Sequence, residues 1–178
     1  MSGIQKFFIS RKIRKALALP IKQPMLQRFS DMRSITLLTC ASQQAIQKTI
    51  RWMVQDFEAE KEIFILNFIL EKTVFQYDYH KIKLRCFSPH AFSRFGTPDE
   101  HIAELIRQST SDLLINTCQS KNLYLDWVAV LNESLIKSFI QAEANSHIYS
   151  LQIYDSQPLS IQDSLLQCRS YLNALGGK

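Results

Sequence analysis

From residue 34 onward, short runs of consecutive apolar residues alternate with stretches in which apolar residues recur every three or four positions. The first pattern marks buried strands and the second amphipathic helices. Ile35-Thr-Leu-Leu-Thr39 predicts a strand. Ser42 then caps a helix reaching about Phe57, with Ala45, Ile46, Ile50, Met53, Val54 and Phe57 as its buried stripe. The run Ile63–Leu70 is almost wholly apolar, as expected of a central strand covered on both faces. Ile82–Phe87 predicts a third strand. Thr97-Pro98-Asp99-Glu100 predicts a helix start: a cap, a proline at the first position, and a glutamate able to complete a capping box. Leu113–Ile115 predicts another buried strand, followed by a helix around Leu123–Leu131 and short strands near Leu135–Ile140 and Ile148–Tyr154. Ser160 with Asp163 caps a last helix, ended by Gly176-Gly177.

Strands alternating with helices imply βαβ crossovers. The expected fold is therefore α/β: one Rossmann-like three-layer domain over residues 34–178 with a mainly parallel sheet. Neither an internal repeat nor a low-complexity tract interrupts it.

Residues 1–33 have a different pattern. At 100° per residue, Ile9, Ile13, Ala16 and Leu17 share one helical face, and Arg11, Lys12, Arg14 and Lys15 share the other with Phe7 and Phe8. Pro20 and Pro24 end this helix, so 20–33 is expected to be an extended linker. The chain thus divides into a basic N-terminal helical arm with its linker, 1–33, and the α/β body.

Charge sharpens that division. The arm holds eight Lys/Arg against Asp31 alone, whereas the body holds thirteen Lys/Arg against fifteen Asp/Glu. A net charge of +5 therefore describes the arm. Such a segment is drawn to polyanions: RNA, an anionic membrane face, or an acidic protein surface. The binding candidates are Lys6, Phe7, Phe8, Arg11, Lys12, Arg14 and Lys15, where cations could grip phosphates while the rings stack on bases or enter a lipid interface. The aliphatic stripe equally suits docking on this protein's own body. An Arg-rich start with no acid before Asp31 also suits a transit peptide.

Cys40, Cys86, Cys118 and Cys168 form no C-x-x-C pair and sit mostly in or beside apolar runs. They are expected to be reduced thiols acting as small hydrophobes in a cytoplasmic protein, including a peripheral place at the inner face of a membrane. No apolar run is long enough for a transmembrane segment.

Much chemistry is excluded by composition. Only Gly3, Gly96, Gly176 and Gly177 exist. A dinucleotide fingerprint needs glycines just after the first strand, where this chain reads Thr39-Cys40-Ala41-Ser42-Gln43. A phosphate-cradling G-x-x-x-x-G-K-[ST] loop and a G-x-S-x-G elbow are also absent. His80, His90, His101 and His147 lack zinc spacing, and His101 with Glu104 reads as a solvated helical pair. Hence no cofactor, no metal and no catalytic residue is expected. In an open parallel sheet, ligands bind beyond the carboxyl ends of the strands. That edge would carry Ser42, Asn116, Gln119 and Lys121 as a possible ligand site, with ordinary capping and loop duty as the simpler assignment.

A basic leader, a strand near residue 35, Phe95-Gly96-x-Pro98 and Asp112-Leu-Leu-Ile-Asn116 together resemble an uncharacterised domain-of-unknown-function family of small α/β proteins from Bacteroidota. Within it, Asp112–Asn116 through Leu123–Leu131 to Ile136–Phe139 is similar to the strand–helix–strand in the N-terminal half of heptosyltransferase-type glycosyltransferases. That second resemblance implies a Rossmann-like fold. It does not imply transfer activity, because those enzymes bind the nucleotide-sugar with a second half that this chain has no room for. Asn116 also stands where they place an acid, and the region of Phe139 lacks their glycine. The expected function is a non-enzymatic binding or scaffold module anchored by its arm. The alternative is an enzyme or enzyme remnant holding a small polar or phosphorylated ligand at the strand ends.

Overall fold

The computed structural model describes residues 3–18, 25–57, 61–70, 75–140, 148–155 and 157–176. Helix α1 (Gly3–Leu17) precedes β1 (Ser34–Thr39), α2 (Gln43–Asp56), β2 (Glu62–Phe68), β3 (Gln76–Tyr79) and β4 (Ile82–Phe87). Then come α3 (Glu100–Gln108), β5 (Leu113–Asn116), α4 (Leu123–Leu131), β6 (Ile136–Ile140), β7 (Leu151–Ile153) and α5 (Ile161–Leu175). The strands form one sheet in the order β3-β4-β2-β1-β5-β6-β7. Every pairing is parallel except β3 with β4. Setting β3 aside, the order is that of a doubly wound Rossmann sheet, whose winding reverses between β1 and β5.

The central strands are mostly apolar because both faces of the sheet are covered, and the polar side chains they bury (Thr36, Asn67, Asn116) are hydrogen-bonded. One face buries Ile35, Leu37, Ile63, Ile65, Leu113 and Ile115 against α2 and α5. The other buries Leu38, Leu66, Phe68, Phe87, Leu114 and Phe139 against α3, α4 and α1. The amino end of the β1–β5 pair is pinned by Asp112, whose Oδ2 accepts from the backbone N–H groups of Arg33 (2.7 Å) and Ser34 (3.0 Å).

Helix α1 is part of this body. Ile9 has no exposed surface and Ile13 very little, both inside the second core cluster. Gln5, also buried, donates through Nε2 to the carbonyls of Phe92 (2.8 Å) and Ser93 (3.1 Å), while its Oε1 accepts from the Tyr124 hydroxyl (2.5 Å). Lys12, read from sequence as part of the basic face, reaches Thr97 Oγ1 (2.8 Å) and lies over the Trp127 ring. Beneath α1 the chain turns at Gly96, at φ 70°, and Trp127 Nε1 donates to the Gly96 carbonyl (2.9 Å). A β-carbon at Gly96 would collide with the Ile9 side chain, so this glycine serves both the left-handed turn and the close approach of α1.

The linker expectation for 20–33 is corrected over its described part; residues 20–24 lie outside the described residues. Phe29–Asp31 form a short 3-10 turn, and Phe29 and Met32 are core residues. Buried Lys61 donates to the carbonyls of Phe29 (3.0 Å) and Met32 (2.6 Å), and Asn173 Oδ1 accepts from the Phe29 N–H. Two prolines and several polar side chains conceal a segment whose order comes from distant partners.

Three further details differ from the pattern-based expectations. Helix α3 is capped by Asp99, whose Oδ1 accepts from Ile102 N–H (2.8 Å); Thr97 and Pro98 instead lie in the turn, where the Thr97 carbonyl accepts from Ser93 N–H and Pro98 bridges to Phe92. On α2, Ala45 and Val54 are exposed, at the margins of the buried stripe. Strand β3 was not foreseen: all four of its residues face solvent, and it is held on the sheet's edge by its ladder to β4 and a two-point Arg85–Asp78 ion pair.

Truncating Ile9 to alanine should therefore destabilise the whole domain by about 2–5 kcal/mol, the range for a buried aliphatic side chain whose site collapses only partly. Equilibrium urea unfolding measures this. A loss below about 0.5 kcal/mol, the range of ordinary surface substitutions, would mean that α1 contributes nothing to the core.

Candidate functional site

The place where winding reverses is the carboxyl end of β1 and β5. Their ladder pairs Leu38 with Asn116, and Thr117 N–H donates to the Leu38 carbonyl just beyond it. Two residues past that last pair, Cys40 meets Cys118, and the two are joined by a disulfide with 5.4 Å between their α-carbons. The expectation of four reduced thiols is thus corrected for this pair. Seventy-eight residues separate them in sequence, and only the strand register brings them together. Cys86 and Cys168 are free and buried, as small hydrophobes would be. Burial raises both thiols above the usual range, Cys168 to about 11.

The loop from β1 into α2 is clasped from the side. Asn67, fully buried on β2, accepts from the Ala41 N–H (3.0 Å) through Oδ1 and donates to the Ala41 carbonyl (3.1 Å) through Nδ2. The disulfide and this clasp both lie at the carboxyl end of the strands, the end at which open parallel sheets bind ligands. Outside them lies a shallow groove of about 360 Å³, lined by Thr39, Cys40, Lys48, Thr117, Gln119 and the start of α5, among others. Lys48 is the cation among its described lining residues, none of which is acidic.

The four edge residues named from sequence have separate fates. Ser42 caps α2, its Oγ accepting from Ala45 N–H (3.3 Å). Gln119 lines the groove and donates to the Leu159 carbonyl. Lys121 is exposed and is not among the groove's lining residues. Asn116 turns inward: its Nδ2 donates to the Tyr149 hydroxyl (2.7 Å), which donates to Asp126 Oδ1 (3.1 Å), while its Oδ1 accepts from Cys118 N–H (3.0 Å). Asn116 is therefore a brace beneath the disulfide loop. Lys48 and the α5 residues were missed because nothing local in sequence relates them to the β1 edge.

The second concentration of chemistry is the outer face of α1. Its inward side is taken by Gln5, Ile9 and Ile13, which leaves Ile4, Phe7, Arg11, Arg14 and Lys15 facing solvent. Ile4 is 61% and Phe7 57% exposed. Phe7 meets Phe8 edge-on (5.6 Å between centroids), and Phe8 meets Phe95 likewise (5.1 Å). Arg94 lies over the Phe95 ring, itself 46% exposed. Lys6, Arg11, Arg14 and Lys15 make no ion pair among the described residues. Of the seven arm residues named from sequence, then, Lys12 and Phe8 are used within the molecule, and Lys6, Phe7, Arg11, Arg14 and Lys15 are presented outward.

Among the described residues no group of three His, Cys, Asp or Glu side chains is arranged to hold a metal ion, and no helix is long and apolar enough to cross a membrane. A profile describing a family of unknown function (DUF6913) matches residues 5–175. The match begins inside α1 and ends with α5, so α1 is within the family's unit. No curated protein and no solved structure matches.

Burial pushes the Tyr149 phenol well above the ordinary tyrosine range, and the adjacent Asp126 carboxylate adds to it; the Asn116 hydrogen bond opposes. A raised folded-state value means that stability is fully present below about pH 10 and is lost as pH climbs beyond the unfolded tyrosine's range. Tyr149→Phe should cost about 1–3 kcal/mol at pH 7, since the Asn116 amide loses its acceptor. The variant should also lose less stability between pH 9 and 11 than the parent. Cys168 and Tyr124, raised by burial too, keep part of the slope. Denaturant titrations across pH check both effects, and parallel pH curves would refute the assignment.

Proposed function

The chain belongs to that family of unknown function, and from this premise we propose that it is a non-enzymatic module attached to an anionic membrane face by the outer side of α1. The observation carrying this reading is the combination on one helical face of unpaired cations with exposed Ile4 and Phe7. Because Ile9, Ile13 and Gln5 fix α1 on the body, the helix is already formed before it meets a partner, and little helix-forming entropy is lost on binding.

Two features favour lipid over nucleic acid. Ile4 has no flat surface on which to stack a base, but an aliphatic side chain beside an aromatic one suits the headgroup–acyl boundary. The rings of Phe7, Phe8 and Phe95 are arranged edge to face against one another, which suits a wedge more than a stacking platform. The loop after β1 supports the non-enzymatic half of the reading, since it lacks the glycines of a dinucleotide-binding turn and is tied down by the disulfide and the Asn67 clasp.

Cosedimentation with vesicles checks this. The protein should bind phosphatidylglycerol-containing vesicles and not pure phosphatidylcholine, with binding weakened by salt. Each basic residue near such a surface contributes about 1 kcal/mol, so Arg11→Gln/Arg14→Gln/Lys15→Gln should lose roughly a hundredfold in affinity. Phe7→Ser should lose binding that salt does not restore. Equal binding to neutral and anionic vesicles would remove the proposal, and tighter binding to single-stranded RNA than to vesicles would reassign the face.

A further inference from the structure

We infer that the Cys40–Cys118 disulfide is a thiol–disulfide exchange site, attacked at Cys40 Sγ by a small anionic thiol of about tripeptide size that lodges in the adjoining groove. The two sulfurs are unequal. Cys118 is 2% exposed, whereas Cys40 is only partly buried and lines the groove. An incoming thiolate therefore reaches Cys40 first. The groove's volume of about 360 Å³ admits a short peptide, its lining offers apolar contact through Ala41, Ala45, Leu159 and Ile161, and Lys48, with no acid among the described lining residues, favours negative charge. The other two cysteines are free and buried, although Cys86 stands close by, accepting from Asn67 Nδ2 (3.9 Å) behind the Ala41 clasp.

The exchange balances as two displacements. A thiolate attacks Cys40 Sγ, forming a mixed disulfide and expelling Cys118 as thiolate. The leaving sulfur lies 3.7 Å from Ser120 Oγ, a hydroxyl able to donate to it. A second thiolate then attacks the sulfur of the bound thiol and expels Cys40. In sum, two external thiols are oxidised to one disulfide, the protein cystine is reduced to two thiols, and the two thiol protons pass to Cys40 and Cys118. Reduction frees the carboxyl ends of β1 and β5 from their covalent tie, at the point where the sheet's winding reverses.

The test uses the full chain, native and without denaturant. Reduced glutathione serves as the anionic thiol and cysteamine as the cationic one, with exchange followed by acid quench, alkylation and mass spectrometry. Glutathione should open the disulfide faster than cysteamine at equal thiolate concentration. Lys48→Gln should shrink that preference roughly fivefold, the worth of one close charge pair in water. The transient adduct should map to Cys40 in the unmodified chain. In Cys118→Ser, oxidised glutathione should leave a stable adduct on Cys40, while Cys40→Ser should leave Cys118 unmodified. A disulfide that yields only after unfolding, an adduct on Cys118, equal rates for the two thiols, or free Cys40 and Cys118 in the freshly isolated protein would each overturn the inference. Because α1 is not involved, vesicle binding is unaffected by either outcome.

Discussion

Strand β1 is hydrogen-bonded on both sides, to β2 and to β5, and carries apolar side chains on both faces. A strand placed so needs helical cover above and below, because either face left open would expose a row of Ile and Leu side chains to water. Helices α2 and α5 cover one face. On the other, α3 and α4 share one buried cluster with Ile9 and Ile13 of α1, and α1 is tied to α4 at Tyr124 and to the turn at Phe92, Ser93 and Thr97. The positive helix at the front of the chain is therefore held by the demand for a buried layer over this face of the sheet.

That demand also divides the labour on α1. One side is committed to the core through Gln5, Ile9, Lys12 and Ile13, so the cations and rings that remain outward are displayed from a rigid support. A loose arm bearing the same residues would have to order itself on its partner. Here the folding of the domain orders the helix in advance, and the surface it turns outward is a consequence of core packing.

The β1–β5 pair is fixed at both ends. Asp112 ties the amino end through the Arg33 and Ser34 amides, and the Cys40–Cys118 bond ties the carboxyl end. Asn116, between them, is spent on Tyr149 and on the Cys118 amide. The carboxyl edge of this pair is thus braced by the protein's own covalent and amide contacts, with the shallow groove outside them. The sequence just after β1 has no glycine, and it said nothing of the disulfide that ties this loop to β5.

Local chemistry wrote much of this molecule in its sequence. Mostly apolar runs set β1, β2 and β5, because fully buried strands need no alternation. Ser42 and Ser160 marked helix starts, because a cap acts within three residues. The stripe Ile9–Ile13 marked α1 as two-sided. What sequence left open needed distance. Whether that stripe met this body or another, how Phe29 escapes the proline-flanked linker to enter the core, and which cysteines pair all depend on residues tens of positions apart. Strand order and register decide those matters: Cys40 faces Cys118 because Leu38 lies opposite Asn116, and no window of a few residues contains that alignment.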